Sequence, residues 1–501
     1  MAVEPCIFRA PITLAKRRYC KQNEVSPEYR TEFMRDRDRL MYATAFRRLA
    51  GKTQIYTVGR NDHKKTRLTH TLEVSQIART IAVALGLDSD LAEAIALGHD
   101  FGHTPFGHAG EEMLHQIMSP ESDYVKGSPF YQVSEAKLRL KIGKDNSTYA
   151  DHAFGFKHNI QSVRVAAMLE DSYEDSAHNN IGLDLTNFTL YGMMMHSALD
   201  YTKKNPTYFV PNFQQSLKDL MCYEGSDQYA WSLEAYVVKL ADDIAQWHRD
   251  LEDAIYADAL PLEKIRTTIS DALGKALKGH DKSSLKKCVT VDRRTITEIS
   301  HIVVNTLVTD LVNQTKKNIK LLLREAKQSG VTFDAQNLSQ FFTNYDDFNF
   351  SLKRYEIVSF STYIAQDVFK NTIRESIHHS LNVERMNIKG QYIISKLFDA
   401  YYAHPLQLPD GPILHLMVET GSIYKEIRAK KGSTAPPAEP CKNVDEARAL
   451  GIGIVRIKLD EIYSSDDCSV YFKSVLMRRI CDHIASMTDS YAMEEYRKLY
   501  G

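Results

Sequence analysis

Apolar residues along the chain recur mostly at helical spacing. From Leu72, the positions Val74, Ile77, Ile81 and Leu85 follow one another three or four apart and stop at Gly86, which predicts an amphipathic helix closed by a glycine. Residues 91–97 predict a second apolar helix, ended by Gly98 and the Gly- and Pro-rich run 102–110. Residues 232–252 predict a third, with Val237, Val238, Leu240, Ala241, Ile244 and Leu251 on its apolar side. Long amphipathic helices are expected over 302–327 and 478–499. Strand-like alternation is scarce: residues 453–459 (GIVRIKL) carry the best example and 54–58 a short second one. Two segments predict loops. Residues 119–151 mix Pro, Gly, Ser and charge directly after the most chemically loaded run, which suits a lid or substrate wall but more commonly marks a plain surface excursion. Residues 430–442 (KKGSTAPPAEPCK) predict the clearest flexible stretch. No internal repeat is visible, and the pattern as a whole predicts an all-α fold.

Composition narrows the class. The 501 residues are 43% hydrophobic and 25% charged, as in an ordinary folded protein able to bury a large core. A formal net charge of −1 gives no global basic field for nucleic acid. The short runs Lys16-Arg17-Arg18 and Lys316-Lys317 read as solvated faces. The seven cysteines are scattered without a CxxC pair, which argues against a disulfide framework or a zinc ribbon and for a reducing compartment. Glu4 and Arg9 interrupt any apolar run at the N-terminus, and no stretch approaches the roughly 20 apolar residues that span a bilayer. A cytoplasmic protein without membrane contact is expected.

Histidine and aspartate carry the candidate chemistry. His70 ends the run Arg67-Leu68-Thr69-His70 at the mouth of one helix, His99-Asp100 follow at the end of the next, and Asp242 and Asp243 lie on a third. Imidazole and carboxylate together suit a divalent ion such as Mn, Fe, Mg or Zn. Adjacent His and Asp reach one ion only where a helix ends, and Gly98 and Gly102 permit that. The run from Gly102 through His103 and His108 to Glu111 brings two further imidazoles and a carboxylate. His108 and Glu111, three apart, share a face if a helix starts there. Such a pair makes a general acid/base working near neutral pH, although Glu111 would also suit a helix entry.

With these residues in view, the chain resembles the bacterial dGTP triphosphohydrolase family, the deoxynucleotide branch of the HD superfamily. The matching runs stand in family order: Phe46-Arg47-Arg48-Leu49, Lys52-Thr53-Gln54, 67–74 (RLTHTLEV), 98–108 (GHDFGHTPFGH), 158–164 (HNIQSVR), Ala241-Asp242-Asp243-Ile244-Ala245 and 484–492 (IASMTDSYA). The resemblance implies an HD-domain helical fold with an additional, mostly helical C-terminal region. It implies one divalent metal ion per site, held by His70, His99, Asp100 and Asp242, and a general acid/base formed by His108 with Glu111. Gln54 would pack on the deoxyribose and help exclude a 2′-hydroxyl. Arg67, His103 and Asn159 would lie near the phosphates or the metal, and Asp250 would bond the 3′-hydroxyl. Where many relatives carry a tyrosine that stacks on the sugar, this chain has Gln246. Where a Lys-Tyr-Pro run often follows the apolar helix near Leu190, it has Met195-His196-Ser197. Both departures touch nucleotide binding.

The expected reaction is hydrolysis of a deoxynucleoside triphosphate to deoxynucleoside and inorganic triphosphate, by attack of water on the α-phosphorus with His108 managing a proton on the water or on the departing 5′-oxygen. Competing expectations are an HD hydrolase of nucleoside monophosphates or cyclic nucleotides, and a regulatory nucleotide- or nucleic-acid-binding protein on an HD scaffold. Residues 1–260 are expected to form the catalytic core with the inserted loop 119–151. Residues 261–501 would complete the nucleotide site and an oligomer interface. The resemblance further implies a dimer-based homo-oligomer, extending to a hexamer, and a response to single-stranded DNA or a nucleotide effector.

Overall fold

The computed structural model describes residues 4–19, 29–53, 66–119, 155–175, 180–195, 221, 230–256, 260–374, 376, 381–425 and 439–501. Gln54 and the expected strand 54–58, residues 120–151 of the first expected loop, residues 430–438 of the second, and His196-Ser197 lie outside the described residues. The fold is all-α. Among the described residues, strand pairing is confined to Tyr424–Lys425 against Glu439–Pro440, antiparallel, and two isolated bridges.

By contact the chain forms two compact units. The first takes the described residues within 1–101, 184–199 and 218–386. Its centre is made by the helices Arg67–Leu85, Ser89–Gly98 and Leu233–Tyr256, which pack on one another. Their facing side chains, among them Val74, Ile81, Leu91, Ile95, Val237 and Ile244, are fully buried, each worth about 1.5–3 kcal/mol for the larger ones. Side-chain caps start two of the three. Thr66 accepts from the Thr69 amide, and Asp88 from those of Asp90 and Leu91, which satisfies amides that a helix leaves unpaired. Asp88 is also paired with Arg9, and Glu234 accepts from the Ala10 amide at 3.1 Å and the Asp88 amide at 2.9 Å. The N-terminal segment, the turn before Ser89 and the start of the Leu233–Tyr256 helix are thereby joined. Burial pushes the Glu234 carboxyl up to about 7.

The second unit takes the described residues within 102–183 and 387–501. It holds the helices Gly107–Met118, His158–Arg164, Asp410–Glu419, Ile452–Tyr463, Val470–Ser486 and Asp489–Tyr500, with Leu381–Ala403 from Asn387 onward. Leu114, Ile117, Leu397, Leu416, Leu476 and Ile480 sit in its core. Grouping by contact crosses the expected boundary near residue 260: residues 261–386 go with the first unit and 102–183 with the second.

Three elements differ from expectation. Residues 453–459 are helix, not strand, inside Ile452–Tyr463, where Val455 and Leu459 are buried four apart while Ile454 and Ile457 are exposed. The core reads this segment with a period of four, and packing overrides its β-branched composition. The expected helix over 478–499 is two, because Thr488 leaves helical geometry (ψ 163°) and caps the second by accepting from the Tyr491 amide. The helix expected over 302–327 begins earlier, running Arg293–Gln328 from an Asp292 cap.

A buried ion pair ties the His158–Arg164 helix to Val470–Ser486. Arg164 Nη2 donates to Asp482 Oδ2 at 2.7 Å, and its Nε to both carboxylate oxygens at 3.0 and 3.1 Å. Gln161 Nε2 adds a fourth bond at 3.0 Å. Burial alone would raise the Asp482 carboxyl, but the Arg164 charge and hydrogen bonds outweigh it and hold the group below its ordinary range. Removing one partner of such a pair strands the other charge, at a cost of about 3–5 kcal/mol. Asp482→Ala should therefore lower unfolding stability by about that amount at neutral pH, read by denaturant titration. Because the folded carboxyl is depressed, its contribution is complete above the unfolded value of about 3.9 and fades as pH falls through the folded one. The gap between wild type and variant should narrow on acidification.

Candidate metal centre and acid/base cluster

In the first unit the Arg67–Leu85 helix presents Arg67 and His70 in its first turn. The Ser89–Gly98 helix ends into His99 and Asp100, and Asp242 projects from the middle of Leu233–Tyr256. Arg67, His70, His99 and Asp100 are all buried. His70 Nε2 lies 2.8 Å from Asp242 Oδ1. His99 Nε2 lies 3.4 Å from Asp100 Oδ1 and 3.8 Å from Asp242 Oδ1. The ligand atoms of His70, His99 and Asp100 are within 4.8 Å of one another.

Polarity shows what the cluster is made to receive. His99 Nδ1 is 2.6 Å from the Ala96 carbonyl, which calls for its proton there and leaves Nε2 as an acceptor in the neutral ring. That acceptor faces two carboxylate oxygens. Acceptors converging on one point repel each other unless a cation lies among them, and a ring nitrogen fixed by a backbone carbonyl is the usual support of a metal-ligating histidine. The donor set, two imidazoles and two carboxylates, fits a divalent ion. Arg67 Nη1 donates to Asp100 Oδ2 at 2.9 Å, while its Nε and Nη2 are buried without an acceptor among the described residues. Two such donors beside a metal cluster suit an anionic oxygen.

The second unit holds a different cluster. Its carboxylate is Glu111, buried on the Gly107–Met118 helix. Glu111 Oε2 takes His158 Nδ1 at 2.9 Å and His108 Nδ1 at 3.3 Å, and Oε1 takes Lys157 Nζ at 2.7 Å. The His103 ring stacks on His158 at 3.8 Å between centroids. Burial by itself would raise the Glu111 carboxyl. The His158 charge, hydrogen bonds from His108 and His158, and the His103 charge outweigh it and hold the group well below the usual carboxylate range. Gly102 makes the close approach possible: its amide donates to Ser162 Oγ at 2.9 Å, and a Cβ there would come within 2.1 Å of the His158 carbonyl oxygen. His108 is nearly half exposed, with Nδ1 toward Glu111.

An HD domain model matches residues 67–141, and a phosphohydrolase-associated domain model residues 469–498. The chain is 34% identical to a deoxyguanosinetriphosphate triphosphohydrolase-like protein of Bartonella quintana, over 77% of this chain and 82% of that protein. It is 31% identical to one of Brucella suis, over 95% and 91%. A Mesorhizobium japonicum relative of the same description is 29% identical over 95% and 91%. The chain belongs to the deoxyguanosinetriphosphate triphosphohydrolase-like family.

In this deoxyguanosinetriphosphate triphosphohydrolase-like HD phosphohydrolase, the structure brings His70, His99, Asp100, Asp242 and Arg67 together in one unit, and His103, His108 and Glu111 in the other. Asn159 is buried next to His158. Gln246 and Asp250 follow Asp242 on the Leu233–Tyr256 helix, Gln246 half-buried and Asp250 buried. No described helix is long and apolar enough to cross a membrane. No local pattern signals that Lys157 and His158 share Glu111. The available hint was Glu111 itself, since a carboxylate on a buried helix face needs more than one cationic or donor partner.

His70→Ala and Asp242→Ala should each strip the bound divalent metal and abolish turnover, because a four-donor site loses affinity and geometry together. Metal content of the purified variants checks this. Asp242→Ala with wild-type metal and activity would remove Asp242 from the ligand set.

Proposed function

We propose that the chain hydrolyses deoxynucleoside triphosphates at the α-phosphorus, releasing deoxynucleoside and inorganic triphosphate. The observation that carries this most is the union of four convergent acceptors, His70, His99, Asp100 and Asp242, with the buried, unsatisfied donors of Arg67. The relatives' description as deoxyguanosinetriphosphate triphosphohydrolase-like supports the choice of substrate.

His70, His99, Asp100 and Asp242 would hold a divalent ion, which would supply Lewis acidity at the phosphate. Arg67 directs its free Nε and Nη2 donors at the phosphate charge, with His103 and Asn159 as further polar contacts. The water oxygen bonds to the α-phosphorus, the bond from phosphorus to the 5′-oxygen breaks, and the triphosphate keeps all three phosphorus atoms. His108 moves a proton at Nε2, while Glu111 holds the ring through Nδ1 and stays ionised. Asp250 reads the 3′-hydroxyl and Gln54 the deoxyribose face. Gln246, a mobile amide where a tyrosine ring would stack, holds the sugar less rigidly. A dimer-based assembly with a nucleotide or single-stranded DNA effector belongs to the same proposal.

Product analysis with the four dNTPs and GTP, each with Mn and Mg, tests the reaction. Inorganic triphosphate and free deoxynucleoside are expected. Orthophosphate from a nucleoside monophosphate, with no turnover of dNTPs, would assign the site to another HD hydrolase. His108→Ala should keep its metal and lose roughly 10²–10⁴ in rate, the usual share of a general acid/base. Equal loss of metal would instead make His108 a ligand.

Asp250→Ala should weaken deoxynucleotides far more than 2′,3′-dideoxy analogues, since only the former offer a 3′-hydroxyl. Competition binding measures the difference. Equal weakening of both would show that Asp250 does not read this group.

A further inference from the structure

The run Met487-Thr488-Asp489 has no part in the proposed chemistry, yet Asp489 is only 1% exposed. Its Oδ1 accepts the backbone N–H of Phe106 at 3.0 Å, across 383 residues of chain. Phe106 has φ 61° and ψ 21°, a left-handed conformation, and Gly107 follows at φ 60°. Bulky residues adopt that region rarely, because the side chain crowds the backbone. The Gly107–Met118 helix begins at this turn, and His108 is its second residue. A helix start commonly uses an extended N-cap whose side chain takes one of the first amides; Phe106 makes no such bond. The launch direction of the helix therefore depends on what grips Phe106 from outside.

Two contacts do so within the second unit. Asp489 takes the Phe106 amide, and the Phe106 side chain lies against Gly390 of the Leu381–Ala403 helix. A Cβ on Gly390 would come within 2.7 Å of Phe106 Cβ and 2.9 Å of its Cγ. Thr104 Oγ1 adds a bond to the Gly107 carbonyl at 2.9 Å. We propose that Asp489, together with Gly390, is a positioning residue for His108: it clamps the left-handed Phe106 turn and so fixes where the imidazole is presented. This rests on His108 being the proton-transfer group. Asp489 touches no reacting atom.

The test uses the full chain with its metal. Asp489→Ala and Gly390→Ala should lower kcat on the order of 10²-fold, the loss that a small misplacement of a catalytic group produces, with KM and bound metal unchanged. Asp489→Asn keeps a carbonyl acceptor and should retain most of the rate. Adding Phe106→Gly to Gly390→Ala removes the overlap, and glycine accepts φ 61° without strain, so rate should return. Hydrogen exchange at the Phe106 amide should quicken in Asp489→Ala and stay slow in Asp489→Asn, whatever the substrate proves to be. Wild-type kcat in Asp489→Ala, beside a His108→Ala control that has lost its rate, overturns the positioning role alone. So does Asp489→Asn as slow as Asp489→Ala. Should Asp489→Ala fail to fold, unchanged kcat in Gly390→Ala overturns the role instead. A fully active His108→Ala removes the proton-transfer assignment and the positioning role together.

Discussion

An ionised carboxylate cannot be buried without charge or donors around it, and in the second unit that requirement falls on Glu111. The desolvation it suffers on the Gly107–Met118 helix is opposed by Lys157, His158 and His108. Two of these come from the entry to the His158–Arg164 helix, so Glu111 works as a joint between its own helix and that one. The joint closes only because Gly102 has no side chain to strike the His158 carbonyl. One carboxylate thereby sets the positions of three donor side chains and limits what residue can stand at 102.

The first unit solves the opposite problem. There acceptors converge: Nε2 of His99 faces oxygens of Asp100 and Asp242, and Arg67 donates to Asp100 beside them. Such a cluster costs stability in isolation and becomes favourable when a cation joins it, so folding and metal binding are coupled there. The scaffold is correspondingly firm. Three helices with buried apolar contacts, two side-chain caps and the Glu234–Asp88–Arg9 junction hold the acceptors at positions their mutual repulsion would otherwise loosen. Arg249, one residue before Asp250, pairs with Glu73 and reaches Thr69, which adds a second tie between the helices carrying Asp242 and His70.

Much of this was legible in the sequence because it is local. The apolar period placed the three central helices, and glycine at 86 and 98 marked their ends. The divalent-ion chemistry followed from the histidines and aspartates carried by those helices and by the end of the second. Two local signals were misread. In GIVRIKL, alternating β-branched residues suggested strand, but Val455 and Leu459, four apart, are the positions the core uses. In the 478–499 segment, Ser486-Met487-Thr488-Asp489 held a capping threonine followed by an acid, the ordinary start of a helix, and the apolar period on either side concealed it.

What the sequence could not deliver is contact across distance. Glu111 meets His158 47 residues on, and Phe106 meets Asp489 383 residues on. No periodicity encodes such pairs, since each partner taken alone has an adequate local explanation: a helix-entry glutamate, a helix-starting aspartate. Their shared feature is burial of a carboxylate whose partner lies on another segment. A buried acid on a helix is thus a prompt to look for a donor on a distant segment, even where a local explanation for it is at hand. The residues most visible as a motif are the histidines and aspartates of the candidate metal centre; the partners of Glu111 and Phe106 are scattered, and only folding brings them to one place.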